Sequence, residues 1–400
     1  MNIRDCLVRV SGGLAAGLLL AVIFPLPAHA QTTASGLVGD GRTDNTERLA
    51  ELLASGADSL VIPPGDYVTG KLDIPSNITL TLSPGVILRD SGRLRETDSM
   101  LTIKGENVRI IGTGAKVLAN RGDYTTGEHR HGLFIWGAHN VSIVGLECSD
   151  QGGDGFYVGG PHGNPSQSIV LDHVIADNNR RNGLSITSAK TLTLTNSTFT
   201  NSNGTRPEFG VDVEPNDPQA VLQDIHIAKL HTLRNVIGGF RAELYRLDGS
   251  SAPVSIVVTG HNSKGDGITV SLESNSSAQG LVQYSDATSL NATGSGIRLV
   301  DPYVGGIRFE VSDVTITGSN ASGGTDPSVA SAIVVRRRPY DRVKGSFGNS
   351  VLRNVTVTAS DGGPHSPYAY WSEGPGRFAD KWNGIAVENL NVSGMPLRQN

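Results

Sequence analysis

The 400-residue chain carries 50 glycines, 5% aromatic residues and a formal net charge of −5. Charges of both signs are dispersed, and the densest basic spot, residues 336–338, is too short to indicate a nucleic-acid partner. Many glycines with few aromatic residues favour a fold of short strands and frequent turns.

The first thirty residues have the pattern of a secretory signal peptide. Arg4 and Arg9 flank the start, an apolar run covers residues 12–24, and the small-residue sequence AHA stands at 28–30. This run is too short, and too closely followed by a cleavage sequence, for a membrane anchor. We therefore expect export to the periplasm or the exterior, no membrane span, and a single domain over residues 31–400.

The next element in the chain is a helix at residues 46–53, where Leu49, Leu52 and Leu53 share one face. This is the one segment with convincing helical periodicity, and we predict that it covers the N-terminal end of the fold. Cys148 is the one cysteine after residue 30, so we expect a buried thiol and no internal disulfide.

Most of the remaining chain repeats one unit, a glycine followed by an apolar, a variable and an apolar residue. The first seven members are spaced 23 to 29 residues apart, and the glycines that begin them are Gly132, Gly155, Gly183, Gly210, Gly239, Gly267 and Gly296. AIVV at Ala332 and GIAV at Gly384 are less regular members. We expect each glycine to supply a turn conformation, and asparagines 178, 179, 201 and 203 to fall in turns. A period in the twenties predicts a solenoid, and alternating apolar residues make it an all-β, right-handed parallel β-helix.

Two segments resemble known β-helix proteins. VGDGRTDNTERLAELLASGADSLVIPPGDYVTGKL, at residues 38–72, resembles the N-terminal segment of the pectate lyase superfamily, in which a helix caps the solenoid. RRNGLSI…NSNGTRPEFGVDVEPN, within residues 180–216, is similar to a stretch of bacterial right-handed β-helix repeat proteins. The resemblance implies the same fold and, more loosely, an activity on carbohydrate.

Because neighbouring coils of such a solenoid lie ~4.8 Å apart, the outward residues of successive units form columns. The column two residues after each glycine contains Phe134, Tyr157, Ser185, Asp212, Arg241, Thr269 and Arg298. The column four residues after contains Trp136, Gly159, Thr187, Glu214, Glu243, Ser271 and Val300. We therefore expect Asp212 beside Arg241 and Glu214 beside Glu243. Acids, arginines and aromatic rings on one face indicate a polysaccharide site.

Two reactions fit this face. In β-elimination on a uronate polymer, a cation neutralises the substrate carboxylate and a base removes the C5 proton. The predicted clamp or base is Arg241, Arg181 or Arg298, and superfamily resemblance favours this lyase. In the alternative, an inverting glycoside hydrolase, Asp212 and Glu214 act as the carboxylate pair at about 6.5 Å.

The other candidates on this face are predicted to contact the substrate. They are Tyr157, His131, Trp136, Glu243, Arg206 and Arg298. Residues 128–131 (EHRH) lack the further ligands of a zinc site, whereas Asp212, Glu214 and Glu243 have the oxygen donors that suit calcium. A non-catalytic β-helix that binds or guides an exported polysaccharide is the third hypothesis. We expect a monomer in each case.

Overall fold

A computed structural model describes residues 31–275, 277–338, 346–360, 365–373 and 382–397. The predicted signal peptide lies outside the described residues, which belong to one compact unit that starts at Gln31.

Short strands are the main regular secondary structure of the described chain. The helices are α1 (Thr46–Leu53) and α2 (Pro327–Ala330), with a 3₁₀ turn at Arg121–Asp123. The strands are β1 (Thr32–Thr33), β2 (Asp40–Asp44), β3 (Ser59–Ile62), β4 (Gly65–Thr69), β5 (Leu72–Ile74), β6 (Ile78–Leu82), β7 (Val86–Asp90), β8 (Leu101–Ile103), β9 (Glu106–Ile111), β10 (Lys116–Leu118), β11 (Leu133–Trp136), β12 (His139–Val144), β13 (Glu147–Ser149), β14 (Phe156–Gly159), β15 (Ser166–Asp172), β16 (Ile175–Asp177), β17 (Leu184–Ile186), β18 (Ala189–Thr195), β19 (Thr198–Thr200), β20 (Phe209–Val213), β21 (Leu222–Ala228), β22 (His231–Leu233), β23 (Gly238–Glu243), β24 (Val254–Thr259), β25 (Asn262–Lys264), β26 (Val270–Glu273), β27 (Gly280–Leu290), β28 (Ile297–Val300), β29 (Arg308–Thr317), β30 (Ile333–Arg336), β31 (Ser350–Thr358), β32 (Tyr370–Ser372) and β33 (Ala386–Ser393).

These strands pair in parallel between successive coils and build two sheets. One sheet has 11 strands, in the order β32-β30-β28-β26-β23-β20-β17-β14-β11-β8-β5, and the other has 22. Each strand of the 11-stranded sheet, here called the groove sheet, comes from a different coil. The predicted parallel β-helix is therefore confirmed.

The core is a vertical stack of the inward-facing residues of each coil. In the groove sheet, Leu133, Phe156, Leu184 and Val211 are paired in register and are at most 1% exposed. Burying each such side chain is worth roughly 1.5–3 kcal/mol. Cys148 is also buried, as predicted.

The glycine that begins each repeat serves a purpose other than the predicted one. A Cβ at Gly183 would lie 2.5 Å from the carbonyl oxygen of Gly210, and one at Gly132 would lie 2.7 Å from that of Gly155. Neither glycine has a positive φ. These positions therefore need glycine because adjacent coils approach closely, not because of a special turn conformation.

Asparagines occupy turn positions in neighbouring coils. Asn178 and Asn201 have φ values of 54° and 57°, in the left-handed region that asparagine tolerates. Elsewhere the side chains of Asn140, Asn107 and Asn77 form a ladder, in which each amide donates to the next at 2.8 Å. The ladder joins the side-chain amides of three successive coils.

The N-terminal helix has the predicted bounds. Its three leucines at positions 49, 52 and 53 are buried in the core cluster. Asp44 Oδ1 accepts the backbone N–H of Thr46 at 2.9 Å, which satisfies one of the free donors at the helix start.

Two predicted repeat members were misaligned. Strand β26 begins at Val270, and its register places Ser271 beside Arg241 and Glu273 beside Glu243. Thr269, rather than Gly267, occupies the position equivalent to Gly239, so the alignment on Gly267 was displaced by two residues. Thr269 is buried, and its hydroxyl contacts Ser289 at 2.6 Å. The segment after Gly384 instead enters β33, which belongs to the 22-stranded sheet.

Candidate functional site

A groove of about 890 Å³ runs across the outer face of the groove sheet. Most of the sequence-predicted site residues line it: His131, Tyr157, Arg181, Arg206, Glu214, Arg241, Glu243 and Arg298. Asp212 and Trp136 do not. Stacked strands therefore bring together residues that are up to 167 positions apart in the chain.

Asp212 lies beneath the floor of the groove. Its side chain is 1% exposed, and its two oxygens accept Nε and Nη2 of Arg241 at 2.7 and 2.9 Å. Burial acts to lower the pKa of Arg241, but the charge of Asp212 outweighs it and raises that pKa. The predicted contact between Asp212 and Arg241 is therefore present as a bidentate, buried ion pair.

Glu214 and Glu243 flank the same guanidinium from adjacent coils. Glu214 Oε2 lies 3.2 Å from Nη2 of Arg241, and Glu243 Oε2 lies 2.8 Å from Nη1. Both carboxylates line the groove, with side-chain exposures of 26% and 15%. Burial and the charge of Asp212 raise the pKa of Glu214 to about 8, and burial also raises the pKa of Glu243.

The charged cluster continues along the sheet. Arg338 Nη2 lies 2.9 Å from Glu273 and 3.7 Å from Glu243, while Arg298 Nη2 lies 3.3 Å from Glu273. Although burial opposes it, the charges of Arg298 and Arg241 lower the pKa of Glu273. The directly contacting groups are thus four carboxylates, including Asp212 and Glu214, against three guanidiniums. One excess negative charge favours one bound proton in the cluster.

A second buried acid, Asp154, lies at the N-terminal half of the groove. It accepts the backbone N–H of Asn182 at 2.9 Å and the hydroxyl of Ser185 at 2.9 Å. Burial raises the pKa of Asp154 to about 6, although Arg181 lies 3.7 Å away. Arg181 also lies 3.5 Å from Glu128.

His131 is buried beside Asp154 in this part of the groove. Its Nδ1 accepts the backbone N–H of Asp154 at 3.0 Å and lies 3.3 Å from the carboxylate of Asp154. Burial lowers the pKa of His131 well below its usual value, so the ring is neutral with its hydrogen on Nε2. Among the described residues, Nε2 has no hydrogen-bond partner.

Aromatic rings adjoin the groove beside His131. The rings of Phe134 and Trp136 stack at 5.4 Å, and Tyr157 lies 5.2 Å from Phe134 and 4.8 Å from His131. Strand register explains the contact, because Phe134 and Tyr157 are direct neighbours in β11 and β14. Burial raises the pKa of Tyr157, so its hydroxyl remains protonated.

Two groove arginines differ from the rest. Among the described residues, the side chains of Arg206 and Arg246 form no ion pair with a carboxylate, whereas Arg181, Arg241 and Arg298 do. Arg246 bonds only to neutral oxygens, those of Tyr245 and Asn216, at 3.3 Å each. These two cations are the ones available to an anionic ligand.

Sequence reasoning missed Asp154, Asn182, Glu273, Arg246 and Arg338. Asp154 and Asn182 each precede a repeat glycine, as His131 does, so a third column read at that position would have revealed them. Glu273 was missed through the two-residue misalignment of its repeat. Arg246 and Arg338 follow their strands, where no periodic signal exists.

Calcium does not fit the predicted carboxylates. Asp212, Glu214 and Glu243 all direct oxygens at the guanidinium of Arg241, which occupies the position that a cation would need. Within the described ranges, no group of three or more metal-binding side chains is found, including around residues 128–131.

Comparison with known proteins agrees with the observed topology. Residues 76–218 match a sequence model described as a right-handed beta helix region. The hyperthermoactive exopolygalacturonase of Thermotoga maritima superposes with a TM-score of 0.66 at 14% identity, over 92% of each chain. The chain is a right-handed β-helix. The resemblance to the pectate lyase superfamily is thereby confirmed for the fold.

Other similar proteins widen the range of functions found on this β-helix fold. PfbA, a surface adhesin of Streptococcus pneumoniae, superposes with a TM-score of 0.59 at 12% identity, over 92% of this chain and 93% of PfbA. The uncharacterized protein YclG of Bacillus subtilis is 28% identical over 216 residues, which cover 45% of this chain. The match spans only 36% of the length of YclG. Among the described residues, the helices are too short or too polar to cross a lipid bilayer.

Proposed function

We propose that the β-helix is a glycoside hydrolase that cleaves an acidic polysaccharide in the groove. The observation that carries this proposal is the carboxylate pair Glu214 and Glu243, which faces the groove on both sides of Arg241. Their cluster holds one more carboxylate than guanidinium, and burial with the charge of Asp212 raises the pKa of Glu214 to about 8, so we assign the proton to Glu214 and the ionised state to Glu243. Glycoside hydrolysis needs that combination.

In the proposed reaction, Glu214 is the acid because its pKa is raised to about 8. Glu214 gives its proton to the glycosidic oxygen as the bond from that oxygen to the anomeric carbon breaks. A water molecule attacks the anomeric carbon, and ionised Glu243 takes the proton that the water loses. The two products are a free hydroxyl and a new reducing end.

Asp212 has a positioning role in this scheme. Both of its oxygens receive N–H groups of Arg241, and it does not line the groove. Asp212 Oδ2 lies 2.9 Å from Nη2 of Arg241, and Glu214 Oε2 lies 3.2 Å from the same nitrogen. The two oxygens are therefore closer to each other than the ~6.5–9.5 Å that separates the carboxylates of inverting enzymes. We therefore replace the predicted pair Asp212 and Glu214 with Glu214 and Glu243.

The arrangement gives no support to β-elimination. Arg241, Arg181 and Arg298, the predicted base or clamp, are each engaged with carboxylates of the protein. The charge of Asp154 raises the pKa of Arg181 against the effect of burial, and Asp212 does the same for Arg241, which makes both poorer bases. Arg206 and Arg246 remain as binding groups for substrate carboxylates.

Similar β-helix structures support a hydrolase at the level of fold. Among them is the exopolygalacturonase of Thermotoga maritima, whose name denotes hydrolysis of a uronate polymer. Because PfbA, an adhesin, has a similar fold, a non-catalytic polysaccharide-binding role is the competing hypothesis. The following experiment distinguishes that role from hydrolysis.

The test is incubation of the purified protein with polygalacturonate, alginate, xylogalacturonan and neutral xylan. We expect new reducing ends from an acidic polymer, without the ultraviolet absorbance of an unsaturated uronate. The Glu214→Gln variant should lose roughly 10²–10⁴-fold in rate, the usual contribution of an acid or base. Glu147→Gln, which removes a comparable ion pair with Lys116 at 2.9 Å on the other sheet, is the control.

Other outcomes decide against hydrolysis. Absorbance that rises with the reducing ends would show elimination, and binding without any new ends would show a non-catalytic role. Full activity of Glu214→Gln would remove Glu214 from the mechanism.

A further inference from the structure

One wall of the groove carries an apolar patch among polar residues that include Arg206, Thr293 and Ser322. Val236 and Val329 are 51% and 46% exposed, and the half-buried side chains of Ile237 and Ile268 line the same wall. Single exposed valines are normal on a protein surface, whereas four branched apolar residues in one binding groove are not. The feature therefore calls for an apolar ligand group.

The wall follows the axis of the β-helix. Its residues lie in turns or in α2, at the edge where strands of the groove sheet begin. The backbone N–H of Gly239 donates to the carbonyl of Ile268 at 2.8 Å, and the hydroxyl of Ser295 donates to that of Val329 at 2.9 Å. These bonds join successive coils, which repeat every ~4.8 Å. A polymer lying along the axis would therefore meet apolar groups repeatedly on this side.

The opposite wall is polar. Asn216 and Arg246 follow the ends of β20 and β23 and line the groove there, and Glu214 and Glu243 lie between the two walls. A ligand that spans the groove therefore meets charged and hydroxyl groups on this wall and the apolar patch on the other. Valine and isoleucine have no aromatic face on which a sugar ring stacks, so they fit small aliphatic substituents instead.

We propose that the apolar wall selects polysaccharides whose sugars carry methyl groups on one side of the chain. Esterified sugars (O-acetyl or methyl ester) and 6-deoxy sugars share this chemistry. The inference rests on the proposed function only in that the groove binds a polysaccharide, and it does not require cleavage. Each methyl group that moves from water into contact with the apolar wall should tighten binding roughly fourfold.

The test measures binding in a Glu214→Gln background, so that turnover does not obscure affinity. The probes are methyl-esterified polygalacturonate and its saponified form, O-acetylated xylan and its deacetylated form, and rhamnan against mannan. Calorimetry or affinity electrophoresis gives the affinity ratio within each pair. We expect at least one methyl-bearing probe to bind more tightly, and the pair concerned identifies the source of the methyl group.

The double variant Val236→Thr/Val329→Thr should abolish that preference, because threonine keeps the shape and charge of valine but replaces one methyl group with a hydroxyl. Val170→Thr changes a valine of 40% exposure on the 22-stranded sheet and should preserve it. An unchanged preference in the double variant, or no preference in the parent, would overturn the inference. If no probe binds, the proposal that the groove binds a polysaccharide is contradicted. That outcome differs from binding without a preference for methyl groups, which contradicts only the inference about the wall.

Discussion

Glu214 owes its proposed protonation to its surroundings. The carboxyl lies among Asp212, Glu243 and one shared guanidinium, and water is largely excluded from the contact. Burial and the negative charge of Asp212 together raise the pKa of Glu214 to about 8. A carboxylic acid that keeps its proton at neutral pH can act as a general acid.

The first prediction concerns the pH dependence of cleavage. Because Glu214 must be protonated to act, kcat/KM should fall as the pH rises through about 8. The measurement is initial rates of reducing-end formation across pH 5 to 10. A rate that stays constant or rises above that pH would contradict the role of Glu214 as the acid.

The pH dependence of protein stability is an independent check on the raised pKa of Glu214. The folded-state pKa of Glu214, about 8, lies above its ordinary value of 4.5, so between these values the folded protein binds more protons than the unfolded chain. The free energy of unfolding should therefore decline as the pH rises across this window. Glu214→Gln should remove that part of the decline in urea unfolding, whether or not the protein is an enzyme.

At the level of strands, register turns isolated residues into pairs. Strands β20 and β23 pair Asp212 with Arg241, and their 29-residue separation in the chain equals one coil. The same register continues to Ser271 in β26 and Arg298 in β28. The column is continuous although its members come from four turns of the solenoid.

A second prediction follows from the buried pair in β20 and β23. Arg241→Gln leaves the carboxylate of Asp212, 1% exposed, without its charged partner, and should lower the free energy of unfolding by roughly 3–5 kcal/mol. Adding Asp212→Asn should recover much of that loss, since the unpaired charge is then removed. Urea unfolding of the single and double variants gives the comparison. Equal instability of the two would show that packing, rather than charge, determines the cost.

At the scale of the whole molecule, the predicted signal peptide precedes the β-helix in the chain. Helix α1 caps the coils with three buried leucines, and the predicted signal peptide precedes it in residues 1–30. We propose that this segment is removed on export, which leaves a mature chain that begins with Gln31.

This third prediction is checked by the intact mass and N-terminal sequence of the exported protein. Cleavage should occur after Ala30, and replacing the small residue Ala28 by leucine should block it, because the cleavage sequence requires small residues. Retention of residues 1–30 in an exported protein would refute the assignment.

Local chemistry made much of the architecture predictable. Period-two apolar alternation, a glycine repeat of 23 to 29 residues and the leucine face of α1 identified the coil, its columns and the helix. Because coils of nearly constant length stack in register, arithmetic on the repeats placed Asp212 beside Arg241 and Glu214 beside Glu243. Gly267 lies two residues before the position equivalent to Gly239, so alignment on it displaced the columns in β26 and concealed Glu273.

The features of the site that only the tertiary structure decided depend on burial and on segments outside the sequence repeat. Repeat spacing cannot tell that Asp212 lies under the floor while Glu214 and Glu243 face the groove, because exposure depends on the turns that surround the sheet. It also cannot place Arg338 or Arg246, which follow their strands at irregular positions. Many groove residues could therefore be predicted from apolar alternation and coil length. Their protonation and solvent accessibility depend on tertiary contacts that the repeat does not encode.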